Sequence, residues 1–118
     1  MNLEFILHVH ARFLEKGTNK PLSGEEYNCK LFDQDLLKND FLGEAHPDDT
    51  GLVQFSVNPK TFRDLNNLID KYPDLFIELE YGEEVLFVTP IAKNAKVSED
   101  GTFDEKDGGV IDLGTFLV

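Results

Sequence analysis

Asp33, Asp35 and Asp40 stand close together between two apolar segments, in the stretch Phe32-Asp33-Gln34-Asp35-Leu36-Leu37-Lys38-Asn39-Asp40-Phe41. Carboxylates gathered in this way suit a hard cation. Held ~5–6 Å apart, they repel by about 3 kcal/mol per pair at an effective dielectric near ~20, so closing their loop without a positive ion destabilises the chain. A Ca2+ ion removes that repulsion and takes oxygen ligands at ~2.3–2.6 Å, backbone carbonyls and water included. The spacing is not that of an EF-hand. Counted from Asp33, the positions that must supply an oxygen ligand and then a glycine hold Leu37 and Lys38. The alternative is an open, solvated acidic turn with Lys38 as internal counter-charge.

Other reactive side chains read as structural. His8 and His10 share the outward face of a strand at a spacing that permits a transition-metal pair, but no further Cys or His stands where it would join them. His46 is isolated in a turn. Glu78 and Glu80 lie on a sheet face where nothing separates two pKa values, so they read as solvated charges rather than a glycosidase pair. Cys29 is in phase with Tyr27 and Leu31 and reads as a core thiol; as the single cysteine it forms no internal disulfide.

The elements that position these groups follow from periodicity. Leu3 to Leu14 alternates, placing Leu3, Phe5, Leu7, Val9, Ala11 and Phe13 on one face, which predicts a half-buried strand. Gly17, Asn19, Pro21 and Gly24 then reverse the chain. Further strands are predicted over Tyr27–Phe32, Phe41–Ala45, Val53–Val57, Leu75–Tyr81, Val85–Ile91 and Val110–Val118, with a turn at His46–Gly51. The continuous apolar run from Val85 to Val88 predicts a central strand. Phe62, Leu65, Leu68 and Ile69 fall at helical spacing between Pro59 and Pro73, predicting one short helix at about 60–71. The expected fold is therefore all-β: a two-sheet antiparallel β-sandwich of about seven strands in a single domain spanning the chain. If every connection reverses direction, the loops after the second, fourth and sixth strands share one end. The loop of Asp33 to Asp40 then meets the acidic segment Glu99–Asp107, where Asp104 and Asp107 are the expected further ligands, while Asp48 and Asp49 lie at the opposite end.

Charge narrows the partners. With 23 acidic against 11 basic side chains, the net charge of −12 repels a phosphate backbone and excludes nucleic acid. Anionic membrane is disfavoured in the same way unless Ca2+ bridges the two surfaces. A basic protein is attracted, and a protein partner is the expectation. The start of the chain carries neither a basic leader nor an uninterrupted apolar segment, which points to a cytoplasmic protein.

Several motifs occur in an order that resembles the transthyretin-like (prealbumin-like) β-sandwich family. They are Ile6 to Phe13, Gly17-Thr18-Asn19-Lys20-Pro21-Leu22, Tyr27 to Phe32, Asp48-Asp49-Thr50-Gly51-Leu52-Val53-Gln54-Phe55 and Ile111-Asp112-Leu113-Gly114-Thr115-Phe116. That resemblance implies the fold more than a task. The segment Phe32 to Asp35 with Asp40-Phe41-Leu42-Gly43-Glu44 also resembles the third calcium loop of the membrane-binding domains of synaptotagmins and protein kinases C, which implies Ca2+ ligation by Asp33, Asp35 and Asp40. One enzymatic branch of the prealbumin fold, the hydroxyisourate hydrolases, ends in Tyr-Arg-Gly-Ser; this chain ends Gly-Thr-Phe-Leu-Val. The expected function is a non-enzymatic binding module, with Ca2+ as its ligand at the acidic loop; an acidic interaction domain that neutralises a basic partner without metal is the alternative.

Overall fold

A computed structural model describes residues 7–34, 39–57, 74–92 and 110–118. The fold is all-β, and the described residues form seven strands in two sheets. Strand β1 (Leu7–Leu14) shows why the alternation matters: Val9, Ala11 and Phe13 are fully buried while His8, His10 and Arg12 between them are half-buried on the other face. Strands β2 (Tyr27–Asp33), β4 (Leu52–Val57) and β5 (Leu75–Tyr81) repeat this pattern, burying Cys29 and Leu31, Val53 and Phe55, and Ile77 and Leu79. Burial pushes the Cys29 thiol up to about 12, so it is a packing group, as its phase predicts.

The first sheet has the order β4-β1-β7, where β7 is Val110–Leu117; the second has the order β3-β2-β5-β6, where β3 is Asp40–Ala45 and β6 is Glu84–Val88. Their facing sides form one core. Aromatic rings bridge it: Phe13 of β1 stacks on Phe116 of β7 at 5.6 Å and meets Phe87 of β6 edge-on at 6.4 Å.

Two expectations are corrected. The sandwich is not wholly antiparallel, because β1 and β7 pair in parallel, His8 opposite Val110 and Leu14 opposite Leu117. When each connection reverses direction, the first and seventh strands run the same way, so making them neighbours makes them parallel. Nor is the apolar run of Val85 to Val88 central. Strand β6 ends at Val88 and lies at the edge of its sheet, with Val85, Leu86 and Val88 between 46% and 49% exposed. A run of aliphatic residues states the strand's composition, not how many neighbours it has. The helix expected at about 60–71 and the start of the first predicted strand, 3–6, lie outside the described residues. No helix among the described residues is long and apolar enough to cross a membrane.

Strand direction divides the molecule into two ends. Leu7 is opposite Val57, Asp33 is opposite both Asp40 and Leu75, and Leu75 bridges to Ala92. The connections after β2, β4 and β6 therefore leave and return at one end, as strand parity predicts. The other end holds the β1–β2, β3–β4 and β5–β6 turns and Val118, whose N–H donates to the Leu14 carbonyl at 2.9 Å.

Candidate cation site

Asp33 closes β2 and Asp40 opens β3, and the two are paired across the strands. Directly opposed residues of an antiparallel pair have Cβ atoms about 4.5–5.5 Å apart on the same face. That face is the inward one: Cys29, Leu31 and Asp33 are alternate residues of β2, and all three are buried. Both carboxylates thus sit at the end of the core, Asp33 only 3% exposed and Asp40 only 8%.

The two differ in their bonding. Asp33 Oδ1 accepts the Asp74 backbone N–H at 3.0 Å, while the Gln34 N–H donates to the Asp74 carbonyl at 2.8 Å. This clasp ties the start of β5 to the end of β2 and fixes one carboxylate. Asp40 Oδ2 is buried and accepts no hydrogen bond. A buried oxygen left in that state loses hydration with no return, which costs about 1–3 kcal/mol and more when it carries charge. The register shift between Leu31 and Phe32 lies immediately beside this pair. Such a bulge bends the strand and re-aims the side chains beyond it.

The geometry suits a positive guest: two carboxylates, one held by a backbone donor and one with an open oxygen, facing each other where the loops emerge. Gln34 and Asn39 flank the pair in sequence but line the groove beside Phe76 and Val88 on the other side of the sheet. Among the described residues, no group of three or more His, Cys, Asp or Glu side chains is placed to hold a metal ion. Asp35, Asp104 and Asp107, the other expected ligands, lie outside the described residues.

The remaining candidates fall elsewhere. Asp48 is at the opposite end, where its Oδ1 accepts the Thr50 hydroxyl at 2.7 Å, the Thr50 N–H at 2.8 Å and the Leu52 N–H at 3.1 Å. The Thr50 hydroxyl, followed by its N–H, holds the Asp48 carboxyl below the ordinary range. His46 Nδ1 lies 2.7 Å from the Tyr27 carbonyl oxygen in the same region. His8 reaches Ser56 Oγ at 3.4 Å, and His10 stands between Gln54 and Asp112 in register. Glu80 pairs with Lys30 at 3.2 Å on the outer sheet face with its side chain only 15% exposed, so it is a partly buried ion pair rather than the solvated charge expected.

One feature was missed by the sequence reading. On the outer face of the second sheet, Phe41, Phe32 and Phe76 form a row across β3, β2 and β5, with ring centroids 5.8 Å and 5.2 Å apart. The row leads to a groove of about 350 Å³ lined by Gln34, Asn39, Phe76, Val88 and Ile91. Its signal was present in strand parity, since Phe32 is out of phase with Leu31 and Phe76 with Ile77.

No protein-family model matches the chain, and a search of curated proteins returns no match. Among solved structures, the chain is similar to a 9R-lipoxygenase from Cyanothece PCC8801, with a TM-score of 0.59 and 20% identity, covering 100% of this chain and 17% of that one. It is also similar to the dioxygenase domain of a dioxygenase carbohydrate-binding protein fusion from Streptomyces sp. SirexAA-E, with a TM-score of 0.52 and 12% identity, covering 97% of this chain and 80% of that one. The chain therefore spans about a sixth of the lipoxygenase's length. At these identities the likeness is one of fold, a β-sandwich shared with parts of larger oxygenases.

Proposed function

We propose that the chain is a non-enzymatic binding module of transthyretin-like type, whose loop end takes a Ca2+ ion between Asp33 and Asp40, with Asp35, Asp104 and Asp107 as further ligands. The observation that carries this reading is the buried, unbonded Oδ2 of Asp40 opposite a second buried carboxylate. Two like charges at that separation oppose each other by about 3 kcal/mol at an effective dielectric near ~20. A divalent cation reverses the sign of the interaction and supplies the missing partner.

Thermal melting in chelator and then in millimolar Ca2+ tests the reading. At ~100 times the dissociation constant, Ca2+ adds about 2.7 kcal/mol of stability. Asp40→Asn abolishes that gain. In chelator the same substitution raises stability, because a neutral amide relieves the repulsion and can donate to Asp33. An unchanged melting curve on adding Ca2+, with Asp40→Asn indistinguishable from wild type in both buffers, removes the cation.

A further inference from the structure

We propose that β6 is a docking edge, to which an extended basic segment of a partner protein adds as a fifth strand of the second sheet. The inference rests on reading the chain as a binding module, but it does not depend on the cation.

Among the described strands, β6 has β5 as its sheet neighbour on one side and none on the other. An edge strand presents unpaired backbone donors and acceptors, and native proteins guard such edges with lysine, proline, strong twist or a covering element. The four edges here are guarded unequally. Strands β3 and β4 are joined by a tight turn and pack side by side. Strand β7 carries Gly114 at φ 111° and a register shift against β1. Strand β6, Glu-Val-Leu-Phe-Val, has neither lysine nor proline, and three of its five side chains are aliphatic and about half exposed. Its register shift lies between the pairs formed by Leu79 and Glu80, and leaves Val88 opposite Glu78 and Val85 opposite Glu80 on the outer face. Phe87 points the other way, into the core.

Charge selects the occupant. Beside the exposed valines stand Glu78 and Glu80 on β5 and Glu83 and Glu84 in the hairpin, with Lys30 bound to Glu80. A second copy of this chain brings its own net charge of −12 to that face and is repelled. A strand in which Lys or Arg alternates with aliphatic residues sets its basic side chains on the outer face, where they reach Glu78 and Glu80 across the valines, and its aliphatic side chains on the other face. The groove at the end of β6, lined by Phe76, Val88 and Ile91, receives the aliphatic stem of one of those basic side chains, and Gln34 and Asn39, which also line it, offer hydrogen bonds.

The test uses a capped peptide of about ten residues alternating lysine and valine, titrated into the 15N-labelled protein in chelator. Amide shifts are expected at Glu84–Val88 and around the groove at Gln34, Asn39 and Phe76. Val85→Lys with Val88→Lys weakens the interaction about tenfold or more, and a peptide alternating glutamate and valine does not bind. Both positions are exposed, and an unchanged melting temperature verifies that the double variant folds. Equal affinity for the double variant, shifts centred on β3 or β7, or comparable binding of the glutamate peptide overturns the proposal. So does a dimer of the protein alone that the double variant abolishes, which assigns the edge to a second copy. Binding retained by Asp40→Asn separates this surface from the cation reading.

Discussion

The two ends of the sandwich are built on opposite principles. At the turn end the backbone satisfies itself: Phe13 N–H donates to the Gly51 carbonyl at 2.9 Å, Leu22 N–H to the Phe13 carbonyl at 3.1 Å, Glu15 N–H to the Lys20 carbonyl at 2.7 Å and Gly82 N–H to the Glu26 carbonyl at 3.0 Å. The Asp48 carboxylate there collects three donors. At the loop end the carboxylates of two paired residues, Asp33 and Asp40, are buried, and Asp40 keeps an oxygen with no hydrogen-bond partner. At the turn end the backbone and the Asp48 carboxylate are finished by hydrogen bonds, and the buried atom without a partner there is a cationic donor, Arg12 Nε; at the loop end it is a carboxylate oxygen, Asp40 Oδ2. The lesson is that acidic residues of the same type differ in their bonding according to whether backbone and hydroxyl donors reach them.

Substitutions at the two ends should therefore differ in sign. The largest effect is expected from Gly51→Ala. Gly51 has φ 82°, and a Cβ there would collide with the Phe13 carbonyl, so about 2–5 kcal/mol is lost in urea denaturation. A loss under about 1 kcal/mol would show that the turn end yields more readily than its bonding implies. Next comes Asp40→Asn in chelator, which gains about 1–3 kcal/mol; a loss instead would mean that the loop end is as internally satisfied as the turn end. Gly17→Ala follows, costing about 1–2 kcal/mol for its φ of 97° alone, because no atom lies within 4 Å of the added carbon. The difference between the two glycines isolates the collision from the backbone conformation.

The smallest effect is the acid response of Asp48. Its carboxyl is held below the ordinary value of 3.8, so the stability it contributes is fully present above that pH and is lost as pH falls through its lowered value. Urea denaturation at stepped pH should show the advantage of wild type over Asp48→Ala as constant near neutrality and shrinking below pH 3.8. A constant difference down to the lowest pH would remove Asp48 from the contrast between the ends.

Much of this fold is legible in the sequence because strand alternation is a local signal. Leu75, Ile77, Leu79 and Tyr81 keep the period, broken on the other face by Phe76 alone, and the strand has the expected bounds Leu75–Tyr81 in the structure. Cys29 and Leu31 carry their burial in their phase. Neighbour relations are not local: nothing in Val85-Leu86-Phe87-Val88 states that β6 stands last in the order of the described strands, and nothing in Val110–Val118 states that it lies beside the first strand. For the site, parity placed Asp33 at the loop end and Asp48 at the other. The differing fates of Asp33 and Asp40 were not readable, because they turn on the Asp74 N–H, a backbone donor some forty residues downstream whose position depends on the β2–β5 register.

The parallel pairing of β1 with β7 sets a schedule for synthesis. Its residues are separated by roughly one hundred positions, so as the polypeptide leaves the ribosome the first strand waits beside β4 with one flank bare until Val110–Leu117 has emerged. Completion of the three-stranded sheet is thus a late event in the life of the nascent chain. In that interval the flank of β1 that will meet β7 presents unpaired backbone N–H and C=O groups.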